Sequence, residues 1–227
     1  VQLALPRLPE EVRRTGVIVQ KRSNDILLVI GLFSPNGERE TTYLADYALI
    51  NLIDELKRLP GVGDVTLFGS GYSMRIWLQP DRMARLGVTP TDVANAIRAQ
   101  NQQYAAGKVG AEPAPEGQVL TYTVTARGRL VTPEEFGSIV VRAGGAAGVV
   151  RIRDVARVEL GAQSYDTSTT VDGKPSVGMA VFLQTGANAL EVAAAVKSRV
   201  QELKTTFPPG VDYIVPFDTT RVVEASI

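Results

Sequence analysis

Two residue types are missing from this sequence, which has no cysteine and no histidine. Without cysteine there is no disulfide bond and no thiol nucleophile, and without histidine there is no catalytic pair of the Ser/His or Cys/His kind. Thiolate and imidazole ligands for a metal ion are missing as well. The three methionines, Met74, Met83 and Met179, are scattered and do not suggest a site for a soft metal ion. The composition therefore predicts no metal centre and no cofactor.

An excess of one charge and a long apolar run are also missing. Lysine plus arginine number 24 and aspartate plus glutamate number 24, so no basic field indicates nucleic acid as a partner. No purely apolar run is longer than that of Ile26–Ile30, which falls far short of the roughly 20 residues that a transmembrane helix needs. With 227 residues and 44% hydrophobic residues, the chain can bury one large or two modest cores.

Both ends of the chain are expected to be cuts from something longer. The first residues, Val1–Pro6, lack an initiator methionine and show neither the basic nor the apolar region of a signal peptide. The last residues, Arg221–Ile227, stop within a pattern that predicts the beginning of a helix.

A strand–helix–strand unit occurs twice in the sequence. The first copy begins with the apolar strand Ile26–Leu32, continues with a helix around Tyr43–Leu59 and closes with a short strand, Val65–Phe68. The turn Pro60-Gly61-Val62 ends the helix, because proline cannot continue it and glycine permits the backbone reversal.

The second copy follows the same pattern. Strand Val177–Leu183 precedes a helix within Ala187–Thr206, whose regular part is Ala189–Lys204, and the turn Pro209-Gly210-Val211 leads to strand Tyr213–Val215. Two βαβ halves predict an α+β fold with a split βαβ, ferredoxin-like layer. The roughly ninety residues between the halves predict an inserted, mixed α/β domain.

Helix starts are marked by threonine followed by proline and acidic residues. Thr89-Pro90-Thr91-Asp92 and Thr132-Pro133-Glu134-Glu135 each place proline in the first helical turn, and Thr41 or Thr42 is predicted to cap the first long helix. Alternation predicts two strands in the insertion, Ser73–Leu78 and Leu120–Thr125, and two shorter strands, Ser138–Arg142 and Val149–Ile152, are predicted on either side of a turn-rich stretch. Between them, Gly107–Gly117 has the proline and glycine content of a long hairpin tip or an extended arm.

No motif in the chain predicts catalysis. The glycine clusters Gly61-Val62-Gly63-Asp64 and Gly69-Ser70-Gly71 lie at helix-to-strand and strand-to-strand junctions, where turn geometry explains them better than phosphate binding. The paired acids Glu38/Glu40, Glu134/Glu135 and Asp154/Glu159 lie next to arginine or in predicted first turns, where negative charge suits the helix dipole. The residues alone therefore predict a binding or assembly domain and not an enzyme.

The stretch Gly61–Gly69 followed by Tyr72–Leu78 resembles the porter region of bacterial resistance–nodulation–division (RND) multidrug efflux pumps, in particular the hydrophobe/amphiphile subfamily. The resemblance covers essentially the whole chain and continues through Thr89–Val93, Ala99–Asn101, Ala105–Gly107, Leu160–Gly161, Tyr165–Asp166, Gly186–Leu190, Phe207–Gly210 and Phe217–Thr220. It implies the first large periplasmic loop of a bacterial inner-membrane protein.

The resemblance also implies a division into parts. Residues 1–24 would be the end of a first porter subdomain, and 25–70 with 163–220 a discontinuous second one. Residues 71–162 would form the inserted docking subdomain with its protruding hairpin, and 221–227 the start of the run toward a transmembrane helix. Such pumps are proton-driven homotrimers, so a piece without the membrane helices would bind and assemble but not transport.

A substrate pocket is implied at the interface of the porter subdomains. The positions that match it are Ile26, Val29, Thr66, Phe68, Ser164, Asp166, Thr167 and Phe217. Ile26 stands where phenylalanine is common in the family, Thr167 where an aliphatic residue is common, and Phe217 where tyrosine is common. From the residues alone, Ile26, Val29 and Phe68 are better explained as core residues of the sheet, and the family resemblance is what favours the pocket.

The partners implied are the chain's own protomers, a periplasmic adaptor protein, an outer-membrane channel, and hydrophobic or amphiphilic small molecules. The arm that would reach the neighbouring protomer comprises Gly110, Glu112, Pro113, Ala114, Pro115 and Gly117. Two alternatives stay open, namely a purely structural assembly module without a ligand site and, less favoured because a methionine cluster is missing, a pump for metal ions.

Overall fold

The structure is a computed structural model, and it describes residues 5–15, 22–102, 108–109, 122–123, 128–144 and 148–221. After a 3-10 turn at Leu5–Arg7, the elements up to the first part of the insertion are α1 (Glu10–Thr15), β1 (Ile26–Phe33), α2 (Thr41–Asn51), α3 (Ile53–Lys57), β2 (Val62–Phe68), β3 (Tyr72–Leu78), α4 (Pro80–Leu86), α5 (Pro90–Gln100) and β4 (Lys108–Val109). The remaining elements are β5 (Tyr122–Thr123), α6 (Pro133–Ser138), β6 (Val140–Arg142), β7 (Val150–Arg151), α7 (Ile152–Val155), β8 (Ala156–Ala162), β9 (Thr169–Val171), β10 (Lys174–Leu183), α8 (Ala189–Lys204) and β11 (Asp212–Asp218).

The chain forms two compact units. The first comprises Val1–Tyr72 with Ala162–Ile227, and the second comprises Ser73–Gly161. Where the chain returns to the first unit, the Gln163 N–H donates a 3.0 Å hydrogen bond to the Gly71 carbonyl. The mixture of helices and sheets confirms the predicted α+β class. The names porter and docking, and a separate subdomain for residues 1–24, stay predictions.

The first unit has the ferredoxin-like strand order. Its sheet runs β11-β1-β10-β2 with antiparallel neighbours, and β9 pairs with β10 off this path. If the four main strands are numbered along the chain, this order is 4-1-3-2, so each βαβ half contributes one central strand and one flanking strand. The apolar strands β1 and β10 are the central pair, which explains why their sequences are almost continuously hydrophobic.

Helices α2, α3 and α8 pack on one face of this sheet. Their buried residues, with those of the strands, form one core made largely of leucine, valine and alanine, including Leu28, Leu32, Leu44, Leu56, Met179, Val181 and Val196. The two Pro-Gly-Val turns have the predicted conformation, since Gly61 and Gly210 have φ of 85° and 81°. A side chain at Gly61 would also meet Val192 of α8 at 2.4 Å, so this turn needs glycine for space as well as for conformation.

Several predicted boundaries were wrong. The single helix expected over Tyr43–Leu59 is divided at Leu52, where two consecutive residues, Leu52 and Ile53, are both buried and the backbone departs from regular helix geometry (φ −114°, ψ −45°). The predicted cap at Thr41 or Thr42 is replaced by Glu40, whose extended backbone precedes the helix and whose carbonyl accepts the Leu44 N–H.

The second unit has a smaller core of its own. Strand β3 pairs with β8, β4 with β5, and β6 with β7, while Met83, Val93, Phe136, Ile152 and Val155 are among the residues buried together. Both predicted helix starts are confirmed, with proline as the first helical residue, and Thr89 and Thr132 each form a capping box with the acidic residue three positions on. The arm residues Gly110–Gly117, which lie between β4 and β5 in sequence, are outside the described residues.

Two strand predictions in this unit need correction. The strand expected over Val149–Ile152 covers only Val150–Arg151, because the Asp154 carboxylate accepts the Arg151 N–H at 2.8 Å and starts the short helix α7 at Ile152. The strand expected over Ser138–Arg142 begins at Val140, since Ser138 still belongs to α6. Of the predicted strand Leu120–Thr125, the structure describes Tyr122–Thr123.

Candidate ligand-binding face

The sheet of the first unit has a second face, turned away from α2, α3 and α8. We call this the outer face and define it by residues that alternate with the core residues along the four main strands: Val29, Gly31, Thr66, Phe68, Gly178, Ala180, Ile214 and Phe217. The larger of these side chains are half-buried or exposed, and Phe217 is 48% exposed. Four of the eight predicted substrate-binding residues therefore lie together on one surface.

Cross-strand pairing arranges these residues in two rows. In the first row Phe217 lies opposite Val29, Val29 opposite Ala180, and Ala180 opposite Thr66. In the second row Ile214 lies opposite Gly31, Gly31 opposite Gly178, and Gly178 opposite Phe68. The centre of the face is therefore built from small residues, and larger side chains stand along its two margins.

The margin side chains lean toward this small-residue centre. A Cβ on Gly178 would lie 3.3 Å from Cδ2 of Phe68 and 3.8 Å from Cγ1 of Val29. A Cβ on Gly31 would lie 3.4 Å from Ile214 and equally close to Val171 of β9. Glycine at these positions thus permits a close approach of aromatic and aliphatic groups to the sheet backbone.

A β-bulge formed by Val215 and Pro216 opposite Ile30 places Phe217 on the outer face. The pairing of β1 with β11 shifts between Val29 and Gly31, so that Ile214 and Phe217, three residues apart, occupy adjacent outer-face positions. Proline has no N–H to give to a neighbouring strand, and β11 is at the end of the described sheet path, where proline is tolerated. Without the bulge, period-two alternation would turn Phe217 toward the helices.

The next residue, Asp218, fixes the end of β11 from the helix side. Its side chain is 1% exposed, its Oδ2 lies 2.5 Å from Nζ of Lys197 in α8, and its Oδ1 accepts hydrogen bonds from the N–H and hydroxyl of Thr220. Burial raises the pKa of Asp218, but the hydrogen bonds and charge of Lys197, together with Thr220, lower it more, so the net pKa is below the ordinary 3.8. Asp218 is therefore ionised in the folded chain near neutral pH.

One end of the outer face is polar. Phe182 lies opposite Ile26, a predicted site residue, and opposite Asp64. The guanidinium carbon of Arg22 lies 3.5 Å from the centre of the Phe182 ring, and Arg22 Nη1 lies 3.9 Å from Asp64 Oδ2.

Asp64 also forms an ion pair with a second cation, Lys57, whose Nζ lies 2.9 Å from Asp64 Oδ1. Burial raises the pKa of Asp64, but the hydrogen bond and charge of Lys57, the Val65 N–H and the charge of Arg22 lower it more, so that its net pKa is below 3.8. The polar end therefore contains an ionised carboxylate between two cations.

The other three predicted residues belong to a loop that follows β8. The Ser164 hydroxyl donates a 2.6 Å hydrogen bond to Asp166 and accepts the Asp166 N–H at 3.1 Å, which closes a tight turn. Ser164 and Thr167 line a cavity of about 310 Å³ together with Glu40, Thr41, Thr42, Gly69, Ser70, Ala162, Tyr165 and Ser168. The predicted set is thus divided between the sheet and this hydroxyl-rich cavity.

Sequence reasoning missed the residues that shape the centre of the face. Gly31, Gly178 and Ala180 were interpreted only as parts of apolar strands, although small residues inside such strands often mark a close approach of another group. Ile214 and the buried Phe182 likewise lie on the side of the sheet away from the helices and have no motif of their own. Across the described ranges, we find no group of three or more acidic side chains that could hold a metal ion. None of the helices described is both long and apolar enough to span a bilayer.

Comparison with known proteins gives the class to which this fold belongs. The whole chain, residues 1–227, matches the AcrB/AcrD/AcrF family, and the chain belongs to that family. It is 45% identical over its full length to the multidrug export protein AcrF of Escherichia coli K12 and 44% identical to the toluene efflux pump membrane transporter TtgB of Pseudomonas putida. The chain spans 22% of the length of each relative. The resemblance to RND multidrug efflux pumps is thereby confirmed.

Proposed function

We propose that this chain is the substrate-binding and assembly portion of a proton-driven multidrug efflux transporter, and that the outer face is one wall of its substrate site. The observation that carries this proposal is the placement of Val29, Phe68 and Phe217 around the small-residue centre formed by Gly178 and Ala180. The names of the relatives, a multidrug export protein and a toluene efflux pump, support it.

The chemistry of the face suits flat apolar or amphiphilic molecules. Aromatic and branched side chains at the margins offer dispersion contacts that do not depend on one ligand shape. These side chains cover the buried centre of Gly178 and Ala180, so they would form the surface on which a ligand lies. Thr66, at the end of one row, has a hydroxyl that donates a 3.4 Å hydrogen bond to Asp64, so a polar group is also available. A site of this kind accepts varied substrates because few of its contacts are directional.

The hydroxyl-rich cavity beside Ser164 and Thr167 belongs to the same proposal as a polar extension of the site. Half of the wall would be supplied by the rest of the full-length transporter, since the chain spans only 22% of its relatives. We accordingly expect weak binding by the isolated chain and full activity only in the complete protein.

The test is a chimera in which residues 1–227 replace the matching segment of Escherichia coli AcrF. Phe68→Ala and Phe217→Ala in the chimera should each lower efflux of a hydrophobic dye several-fold, at unchanged protein level in the membrane. Trp77→Ala is the matched control, because Trp77 is 43% exposed, close to the 48% of Phe217, but lies in the second unit. The assignment of the site would be contradicted if only Trp77→Ala lost efflux, or if none of the three variants lost efflux.

A second candidate function, a structural assembly module without a ligand site, is favoured by one observation. On the outer side of helix α2, away from the core residues Leu44, Ala45 and Ala48, the apolar side chains of Leu49 and Ile50 are 44% and 70% exposed. An apolar outer side of this kind suits contact with another part of the full-length protein. Leu49→Asp and Ile50→Asp in the chimera should lower trimer content on native electrophoresis, while the outer-face variants should leave it unchanged.

The remaining expectations continue as parts of this proposal. The chain would lie on the periplasmic side of the bacterial inner membrane, form a homotrimer, and face an adaptor protein and an outer-membrane channel with its second unit. The arm Gly110–Gly117 would reach the neighbouring protomer. Pro113→Gly in the chimera tests this contact, since full trimer recovery at low protein concentration would contradict it.

A further inference from the structure

Arg22 occupies a costly position at the polar end of the outer face. Its Nη1 atom is buried and has no hydrogen-bond partner, and the nearest carboxylate oxygen, on Asp64, is 3.9 Å away. A buried donor without a partner destabilises a fold, because it has lost its hydrogen bonds to water. The stacking of the guanidinium on Phe182 offsets only part of this cost.

The backbone holds Arg22 where it is. The N–H of the next residue, Ser23, donates a 2.8 Å hydrogen bond to the carbonyl of Leu183 at the end of β10. The Arg22 side chain remains 27% exposed, so it is accessible from the solvent side of the face. Phe182 and Ala180 are two positions apart on the same face of β10, which places the guanidinium roughly 7 Å along the strand from the small-residue centre.

The charges at this end do not balance among the described residues that form it. Two cations, Arg22 and Lys57, accompany a single carboxylate, Asp64, and Lys57 is the nearer partner at 2.9 Å. The charge of Asp64 is therefore matched by Lys57, and a positive charge remains on Arg22 beside an apolar surface. A surface of this composition complements a molecule with an apolar body and an anionic head group.

We propose that Arg22 makes the outer face selective for anionic amphiphiles, with the apolar body against the half-buried side chains of Val29 and Phe68 and a sulfonate or carboxylate on the Arg22 guanidinium. The proposal rests on the proposed function, because it specifies the substrate class of the same face. The unpartnered donor and the surplus charge are then explained as ligand-binding features kept at a cost in stability.

A matched pair of dyes tests it on the purified 227-residue chain. 8-Anilinonaphthalene-1-sulfonate and N-phenyl-1-naphthylamine share the same ring system, and only the first has a sulfonate. Arg22→Gln should weaken the sulfonated dye about tenfold and change the neutral dye by less than twofold. Arg22→Lys should retain most of the preference. Arg39→Gln is the matched control, because Arg39 also stacks on an aromatic ring, Tyr43 at 4.8 Å, and also has a buried, unpartnered nitrogen.

The outcomes separate this inference from the proposed function. If the neutral dye binds and Phe68→Ala weakens it, but Arg22→Gln changes both dyes equally or neither, the charge selectivity is wrong and the site stands. If the neutral dye does not bind, or if Phe68→Ala does not change its affinity, the assignment of the site itself is wrong. If Arg22→Gln does not fold, the unmodified chain provides the test. Its affinity for the sulfonated dye should fall as the salt concentration rises from about 20 to about 500 mM, because salt screens the charge of Arg22. Its affinity for the neutral dye should not change, and a salt-independent affinity for the sulfonated dye would contradict the proposal.

Discussion

Lys197 of α8 and Asp218 of β11 form an ion pair in which Nζ and Oδ2 are 2.5 Å apart, and the carboxylate is almost fully buried while the ammonium remains 36% exposed. The pair connects the last strand of the sheet to the helix layer. Since Phe217 precedes Asp218 and is on the opposite face, the same pair also determines where the exposed ring is held.

Removing the cation from this pair should destabilise the chain measurably. Lys197→Met leaves the Asp218 carboxylate buried with only Thr220 as a partner, and we expect the free energy of unfolding to fall by about 2 kcal/mol, less than for a fully buried pair because Lys197 is partly exposed. Asp218→Asn should cost less, since its amide oxygen can still accept from Thr220. Urea denaturation of both variants and the double variant measures the coupling, and a coupling near zero would show that the pair does not hold β11.

Acidification should lower the free energy of unfolding of the chain. The pKa values of Asp64, Asp212 and Asp218 are all below the ordinary 3.8 in the folded chain. Between the folded and unfolded pKa values the unfolded chain binds more protons, so the contribution of these groups is complete above about pH 4 and is lost as the pH falls through the folded pKa values. With no histidine, the urea midpoint should be nearly constant from about pH 5 to 8.

The acid dependence has its own control. Asp64→Asn should be less stable at neutral pH and should lose less stability on acidification than the unmodified chain. An acid limb of equal size in both proteins would show that Asp64 titrates normally in the folded state.

Two neighbouring residues of β1 distinguish the two faces of the sheet. Leu28 is fully buried against the helices, whereas Val29 is half-buried on the outer face. Leu28→Ala should therefore cost about 3 kcal/mol of unfolding free energy and Val29→Ala about 1 kcal/mol. Dye binding should show the opposite dependence: Val29→Ala should reduce the affinity for a neutral dye, and Leu28→Ala should leave that affinity unchanged. The same loss of affinity in both variants would mean that the outer face is not the binding surface.

The second unit should be removable. The Gln163 N–H and the Gly71 carbonyl are 3.0 Å apart, so a short Gly/Ser linker can replace residues 73–161 without stretching the chain. Because the first unit has a core of its own, the shortened protein should fold with a single cooperative urea transition. Circular dichroism and the urea transition measure this, and an unfolded product would show that the first unit depends on the insertion.

Local rules predicted much of this fold from the sequence. The two Pro-Gly-Val turns, the caps at Thr89 and Thr132, and the bounds of helix Ala189–Lys204 all follow from residues close together in sequence, and all are present. Helix Pro80–Leu86 was missed although Pro80 begins it and Gly87 follows it with φ of 61°, because the segment is short and has only one fully buried residue, Met83.

Features that depend on pairing between distant strands could not be predicted in the same way. The placement of Phe217 depends on a bulge that appears only when β11 lies beside β1, and the role of Gly178 depends on Phe68 being opposite it. The family resemblance supplied Val29, Thr66, Phe68 and Phe217 as candidates, but not the small residues between them, since these are defined by what they leave room for. The assignment of the site itself stays a prediction.

The neighbouring positions of β1 and β11 have a mechanical consequence. The polypeptide joins this sheet at Ile26 and leaves it at Asp218, and the Thr219 N–H and hydroxyl both donate to the Leu27 carbonyl, at 3.1 and 2.7 Å. Because the two strands are antiparallel, a force that separates the segments flanking Ile26 and Asp218 loads these hydrogen bonds one after another, as in unzipping, instead of shearing them together. Displacement of either flanking segment is therefore transmitted first to the pair Leu28–Asp218 and then to Val29–Phe217, the next pair along the same strands.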